Sequence, residues 1–226
     1  MNTSNFRNNA VLLLLVLSAP LQAVQHASAQ EWRELFNGMD LSGWKANTDP
    51  AAFAVVDGAI RARATHLQHR SHLFYVGSES EPELFKNFEL EVIARGEPGS
   101  NSGVFFHTDM ETRDKVLHLK NGYEVQLNSS PKEKRKTGSL YAVVDLAESV
   151  VDDTKWFTVR VRVDGKRIQV WVDDRQTVDY TEPPEVNRPP ERSGRLLREQ
   201  GGAISLQAHD EGSTFHFNSV RIRRLP

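Results

Sequence analysis

The chain has 226 residues, a formal net charge of −2 with 26 % of residues charged, and no cysteine. A charge so mixed and close to neutral lacks the electrostatic footprint of a nucleic-acid binder. Without cysteine there are no disulfides, thiol nucleophiles or Cys-type zinc sites, so burial of a core must stabilise the fold.

Residues 1–29 read as a secretory signal peptide. A basic start at Arg7 precedes the apolar run AVLLLLVLSAPLQA, which closes on the small-x-small sequence Ala27-Ser28-Ala29. The run is too short and wrongly flanked for a mature membrane span, and no second one follows. The alternative is a retained N-terminal anchor. Residues 30–226 are read as a single domain, with a periplasmic or secreted location in a bacterium and no membrane span after processing.

Within that domain, period-two apolar patterns recur with turn signals between them. FAVVDGAIRARA predicts a hairpin turning at Asp57-Gly58. NFELEVIAR, SGVFFHT and GYEVQL predict further strands, and the basic run Pro131–Gly138 reads as a solvated loop. WFTVRVRV and KRIQVWVDD, joined at Asp164-Gly165, predict a second hairpin with Phe157, Val159, Val161 and Val163 on its apolar face. The segment TEPPEVNRPPERSGRLLREQGG is too rich in proline for a central strand and reads as a loop of the kind that rims sites. AISLQAH, STFHF and SVRIRRL complete the set. Many short strands and few helices predict an all-β fold, a sandwich or jelly roll of two antiparallel sheets.

Familiar catalytic and cofactor motifs are absent: no G-x-S-x-G, P-loop, G-x-G-x-x-G or H-E-x-x-H occurs. No organic cofactor is therefore expected. His66, His69 and His72 stand at steps of three, but without nearby carboxylates they read as a polar loop or strand face before a metal site. Two strands carry a different signal. Glu124, Gln126 and Asn128 share one face opposite Tyr123, Val125 and Leu127, while Ser205, Gln207 and His209 share one face opposite Ile204, Leu206 and Ala208. Amides and an imidazole can pair with the many hydroxyls of a sugar, whereas an ordinary wet face would carry Lys, Glu and Thr. Asn101 and Ser102 stand at the start of a strand on which His107 shares the parity of Gly103 and Phe105. Asn101 could equally cap its own turn.

ELFNGMDLSGWK, NFELEV, NSGVFFH, GYEVQL, TGSLY, WFTVRV and ISLQAH occur in an order that resembles the 3-keto-disaccharide hydrolase family, from about Glu34 to Leu225. The resemblance implies a concanavalin-like β-sandwich with a sugar site on its concave face. It further implies substrates whose C3 hydroxyl has been oxidised to a ketone by a sugar 3-dehydrogenase acting as functional partner. Its motifs fall on Tyr123 to Gln126, on Asn101 to Gly103, on Tyr141, and on Leu206, Gln207 and His209. Two departures stand out: Asp210 replaces a usual glycine, and His107 a common arginine.

Ordinary glycosidases use two carboxylates, but the Glu124 strand face offers one. A 3-ketone relaxes that need, because it acidifies the C2 hydrogen and allows the C1 substituent to leave by elimination. Glu124 and His209 are expected to share the base and acid roles. Asn101, Ser102, His107, Gln126, Tyr141 and Gln207 are expected to hold the oligosaccharide or glycoside. Gln126, Asn101 or one divalent cation would polarise the ketone, the cation held by Glu124, His107 and His209 if their strands adjoin. The competing expectation is a non-catalytic carbohydrate-binding module of the same fold.

Overall fold

A computed structural model of the chain describes Met1, residues 31–65 and residues 69–226. The cleavage region of the signal-peptide reading, and His66, lie outside the described residues. Fifteen strands follow in chain order: β1 (Arg33–Glu34), β2 (Trp44–Ala46), β3 (Phe53–Val56), β4 (Ala59–Arg63), β5 (Ser71–Tyr75), β6 (Phe88–Gly96), β7 (Asn101–Thr108), β8 (Thr112–Arg113), β9 (His118–Leu119), β10 (Tyr123–Asn128), β11 (Phe157–Asp164), β12 (Arg167–Val172), β13 (Arg175–Thr181), β14 (Ala203–Ala208) and β15 (Thr214–Arg224). Helix among the described residues is limited to two 3₁₀ turns, Pro50–Ala52 and Pro190–Arg192.

Two antiparallel sheets face each other. The larger runs β13-β12-β11-β6-β15-β4-β3, with β1 also pairing β15, and the smaller runs β10-β7-β14-β5-β2. Alternation explains the core between them. Val159, Val161, Leu90, Val92, Phe217 and Ile222 point inward from the larger sheet, and Tyr123, Val125, Leu127, Val104, Ile204 and Leu206 from the smaller, forming one apolar cluster. Among the described residues, no helix is long and apolar enough to cross a membrane.

The β3–β4 turn is Asp57-Gly58, both with positive φ (51° and 74°), as a tight hairpin of matching twist requires. In the β11–β12 hairpin, Asp164 still pairs with Arg167, so the turn itself is Gly165-Lys166, one residue later than the sequence pattern places it. The two C-terminal patterns are one strand. β15 carries a register shift between Phe217 and Ser219, which moves the buried positions from Phe215 and Phe217 to Val220 and Ile222.

The outer face of the smaller sheet is partly covered. From one side the β8–β9 hairpin packs Leu119 against Phe74, Phe105 and Ala203. Along β10, residues 138–141 add backbone bonds, with Gly138 N donating to Gln126 O (3.0 Å) and Tyr141 N to Glu124 O (2.9 Å). Residues 182–202 cross the same end of the sandwich. Glu182 ties that crossing down, accepting at one carboxylate oxygen from Tyr123 Oη (2.6 Å) and from Leu197 N (2.7 Å).

Candidate active site

Register places the polar side chains in rows. Glu124 pairs with Phe105 and Phe105 with Ser205, while Gln126 pairs with Gly103 and Asn128 with Asn101. Continuing the β7–β14 register one step sets Gln207 against Gly103, so the glycine leaves a gap between two amides. A Cβ at Gly103 would lie 2.7 Å from Glu124 Oε1, and the gap therefore exists only because the residue is glycine. Over it opens a cavity of about 220 Å³, whose walls include Glu124, Gln126, Tyr141, Gln207 and His209.

Glu124 is 5 % exposed, and burial raises its carboxyl above the ordinary range although the Arg195 guanidinium pulls the other way. Arg195 Nη2 donates to Glu124 Oε2 at 3.0 Å, and the guanidinium carbon lies 5.8 Å from the centre of the Phe105 ring. Gln126 Nε2 donates to Asn101 Oδ1 (3.0 Å), and Asn101 Nδ2 in turn lies 3.3 Å from His209 Nε2. Arg70 Nη2 approaches the same nitrogen at 3.2 Å. With two donors at Nε2, the His209 proton belongs on Nδ1, which stands 3.2 Å from Asp210 Oδ2. Burial works against charge on Asp210, yet His209, Ser213 and Arg70 bring it down to about 2. Asp210, where a glycine is usual, thus places a carboxylate beside the histidine. Gln207 Nε2 lies 3.2 Å from His72 Nε2, and its buried Oε1 has no partner among the described residues, leaving an acceptor for a ligand hydroxyl.

Three sequence-predicted residues sit elsewhere. Ser102 donates its hydroxyl to the Gln207 carbonyl (2.7 Å), stitching β7 to β14. Asn101 is one layer behind the cavity, joining Gln126 to His209. His107 is a correction to both its substrate and its cation assignments. β7 bulges there, the register slipping between Ala203↔Thr108 and Ser205↔Phe105, and His107 takes a φ of 51°. Strand parity therefore fails, and the imidazole stacks near Phe88 instead. Its Nε2 donates to Lys86 O (2.9 Å) and its Nδ1 accepts from Arg198 N (3.0 Å), which ties down the far end of the 182–202 crossing.

The three ligands expected for a cation, Glu124, His107 and His209, are therefore not brought together. Among the described residues no group of three or more His, Asp or Glu gathers as a cation site. Of the two remaining ligands, Glu124 is held by one guanidinium, and His209 Nε2 faces another with an amide. This donor set suits an anionic or hydroxyl-rich guest and does not fit a divalent cation.

Sequence reading missed the cavity's arginines and one histidine. Arg192, Arg195 and Glu191 come from the 182–202 crossing, and Arg113 and His118 from the β8–β9 hairpin. Loops carry no periodicity to expose such residues. The available signal was Arg188, Arg192, Arg195 and Arg198 recurring within eleven residues of a proline-rich loop.

Residues 31–223 match the 3-keto-alpha-glucoside-1,2-lyase-like domain, and the chain belongs to that family. Family and fold together place it among carbohydrate-active β-sandwich proteins. Among solved structures, a Parabacteroides distasonis protein ascribed to the glycosyl hydrolases is similar at 21 % identity and a TM-score of 0.70, covering 86 % of this chain and 94 % of its own. The carbohydrate-binding module CBM66 of Bacillus subtilis is similar at 16 % identity and 0.53, covering 80 % and 95 %. The exoplasmic domain of VIP36, in a form bound to Ca²⁺ and Man3GlcNAc, follows at 13 % and 0.58, covering 87 % and 91 %. At these identities the likeness is one of fold. No curated protein sequence matches the chain.

Proposed function

We propose that the protein cleaves 3-keto-glycosides by elimination across C1 and C2, with hydration of the product completing a net hydrolysis. The observation that carries this reading is that Glu124, paired with a guanidinium, is the one buried carboxylate among the residues lining the cavity, the other carboxylate there, Glu191, being exposed. A two-carboxylate glycosidase is a poor match to that set. Enolisation is a good one, since it needs one base and one electrophile side by side.

Glu124, made more basic by burial, takes the proton from C2, and the C2–H electron pair becomes the enolate of the C3 ketone. Arg195 stabilises the developing oxyanion with N–H groups not used on Glu124. The enolate then collapses to re-form the C3 carbonyl and a C1–C2 double bond, expelling the C1 oxygen. Glu124, now carrying the C2 proton, delivers it to that leaving oxygen and returns to the carboxylate, while His209 accepts at Nε2 from Asn101 and Arg70 at the cavity wall. Water added at C1, with a proton returned to C2, gives the free 3-keto sugar. No step is routed through a cation. The substrate must come from an enzyme that oxidises a sugar at C3, so a sugar 3-dehydrogenase is the functional partner, and the periplasm or medium the setting.

The test is incubation with 3-keto-trehalose and with trehalose, with and without chelator, products being followed by mass spectrometry. Release of glucose from the ketone alone, undiminished by chelator, is the expected result. Binding of both sugars with cleavage of neither would contradict the enzyme and favour a binding module, the use named by the CBM66 neighbour.

A further inference from the structure

The cavity holds more positive charge than this chemistry uses. Arg113, Arg192 and Arg195 line it against the carboxylates Glu124 and Glu191. Arg195 is matched by Glu124 at 3.0 Å, and Arg113 by Asp114 at 3.2 Å. Three guanidiniums also crowd the Tyr141 ring, with Arg135 at 4.7 Å, Arg195 at 5.3 Å and Arg192 at 5.6 Å from its centre. Arg135 is neutralised by Asp145 (2.9 Å) and Glu133 (3.4 Å). Arg192 differs from both. It forms no ion pair among the described residues, not even with exposed Glu191 beside it in sequence, and its Nε is buried without a hydrogen-bond partner. Withdrawing a guanidinium nitrogen from water without a matching acceptor is unfavourable, and a ligand that brings an acceptor relieves it. The planar guanidinium fork fits a carboxylate with two parallel hydrogen bonds.

We infer that Arg192, with Arg113 reaching the cavity from the β8–β9 hairpin, forms a subsite for a carboxylate carried by the glycoside, so that the preferred substrates are acidic sugars of the uronic type. This rests on the reading of the cavity as a sugar site, but it needs no ketone chemistry and can be tested apart from it.

The probes are a glucuronic-acid disaccharide and the glucose disaccharide of the same linkage, neither oxidised at C3. Each is titrated calorimetrically into the protein at low and high salt. The acidic sugar should bind on the order of tenfold tighter, as one charge-assisted hydrogen bond warrants. Raising the salt should narrow the gap, as should Arg192→Gln or, independently, Arg113→Gln. Equal affinity for the two sugars overturns the subsite while the sugar site stands. If a protein with a normal thermal transition binds neither sugar, the sugar site and the subsite fall together.

Discussion

Gly103 is where the site is most sensitive to one atom. Its missing Cβ leaves the space occupied by Glu124 Oε1, 2.7 Å from where that carbon would be. Gly103→Ala should therefore displace the carboxylate and abolish turnover, with the far-ultraviolet circular dichroism unchanged. Full activity in this variant would show that Glu124 has slack. Arg195 raises a different question, because its loss strands a buried carboxylate. Arg195→Met should cost about 3–5 kcal/mol in urea unfolding at neutral pH. It should also shift the acid limb of the kcat/KM profile to higher pH, since the remaining influence on Glu124 is burial. At this scale, strand alternation made Glu124, Gln126, Gln207 and His209 legible in the sequence, because a period of two assigns faces without knowledge of neighbours. It failed at His107, where a bulge reverses the face, and was silent on Arg192 and Arg195.

Loops deliver those arginines, so their anchoring governs the site. The 182–202 crossing is fixed near its start by Glu182, which also accepts from Lys166 Nζ at 2.7 Å, and near its end by the His107 imidazole. Glu182→Gln should weaken the bonds to Tyr123 and Leu197, lowering stability by about 1–3 kcal/mol. Limited proteolysis within 183–201 should become faster, and kcat should fall through misplacement of Arg195. Proteolysis at the wild-type rate would mean that other contacts hold the crossing. Most strands could be read directly, because their apolar rows alternate without interruption. β15 could not, since its bulge breaks the alternation and divides one strand into two apparent ones. The proline-rich crossing was recognisable as a site rim from its composition, but its anchors pair across the fold and leave no local pattern.

The whole molecule should be acid-sensitive well above the carboxylate range. Burial holds His72 well below the ordinary histidine value of 6.5 and lowers His107 as well. Both are neutral in the folded protein, whereas in the unfolded chain they bind protons as pH falls below that value. Their depressed values therefore leave stability intact above about pH 6.5. Below it, stability is lost at about 1.4 kcal/mol per pH unit for each histidine until its folded value is reached. Urea unfolding followed from pH 7.5 to 5 should show that slope, and His72→Asn should flatten it. A level profile in the parent protein would contradict the assignment. The sandwich itself was legible from strand count and turn chemistry, and family order in the motifs agreed with it. The closure of the cavity was not, because it depends on a hairpin and a crossing that meet only in three dimensions.

In the proposed reaction the first bond broken is C2–H, by Glu124. The most direct measurement compares cleavage of a 3-keto-glycoside carrying hydrogen at C2 with the same compound carrying deuterium there. The deuterated substrate should be cleaved severalfold more slowly, and Glu124→Gln should cleave neither. Equal rates for the two, or turnover surviving in Glu124→Gln, would contradict that reaction.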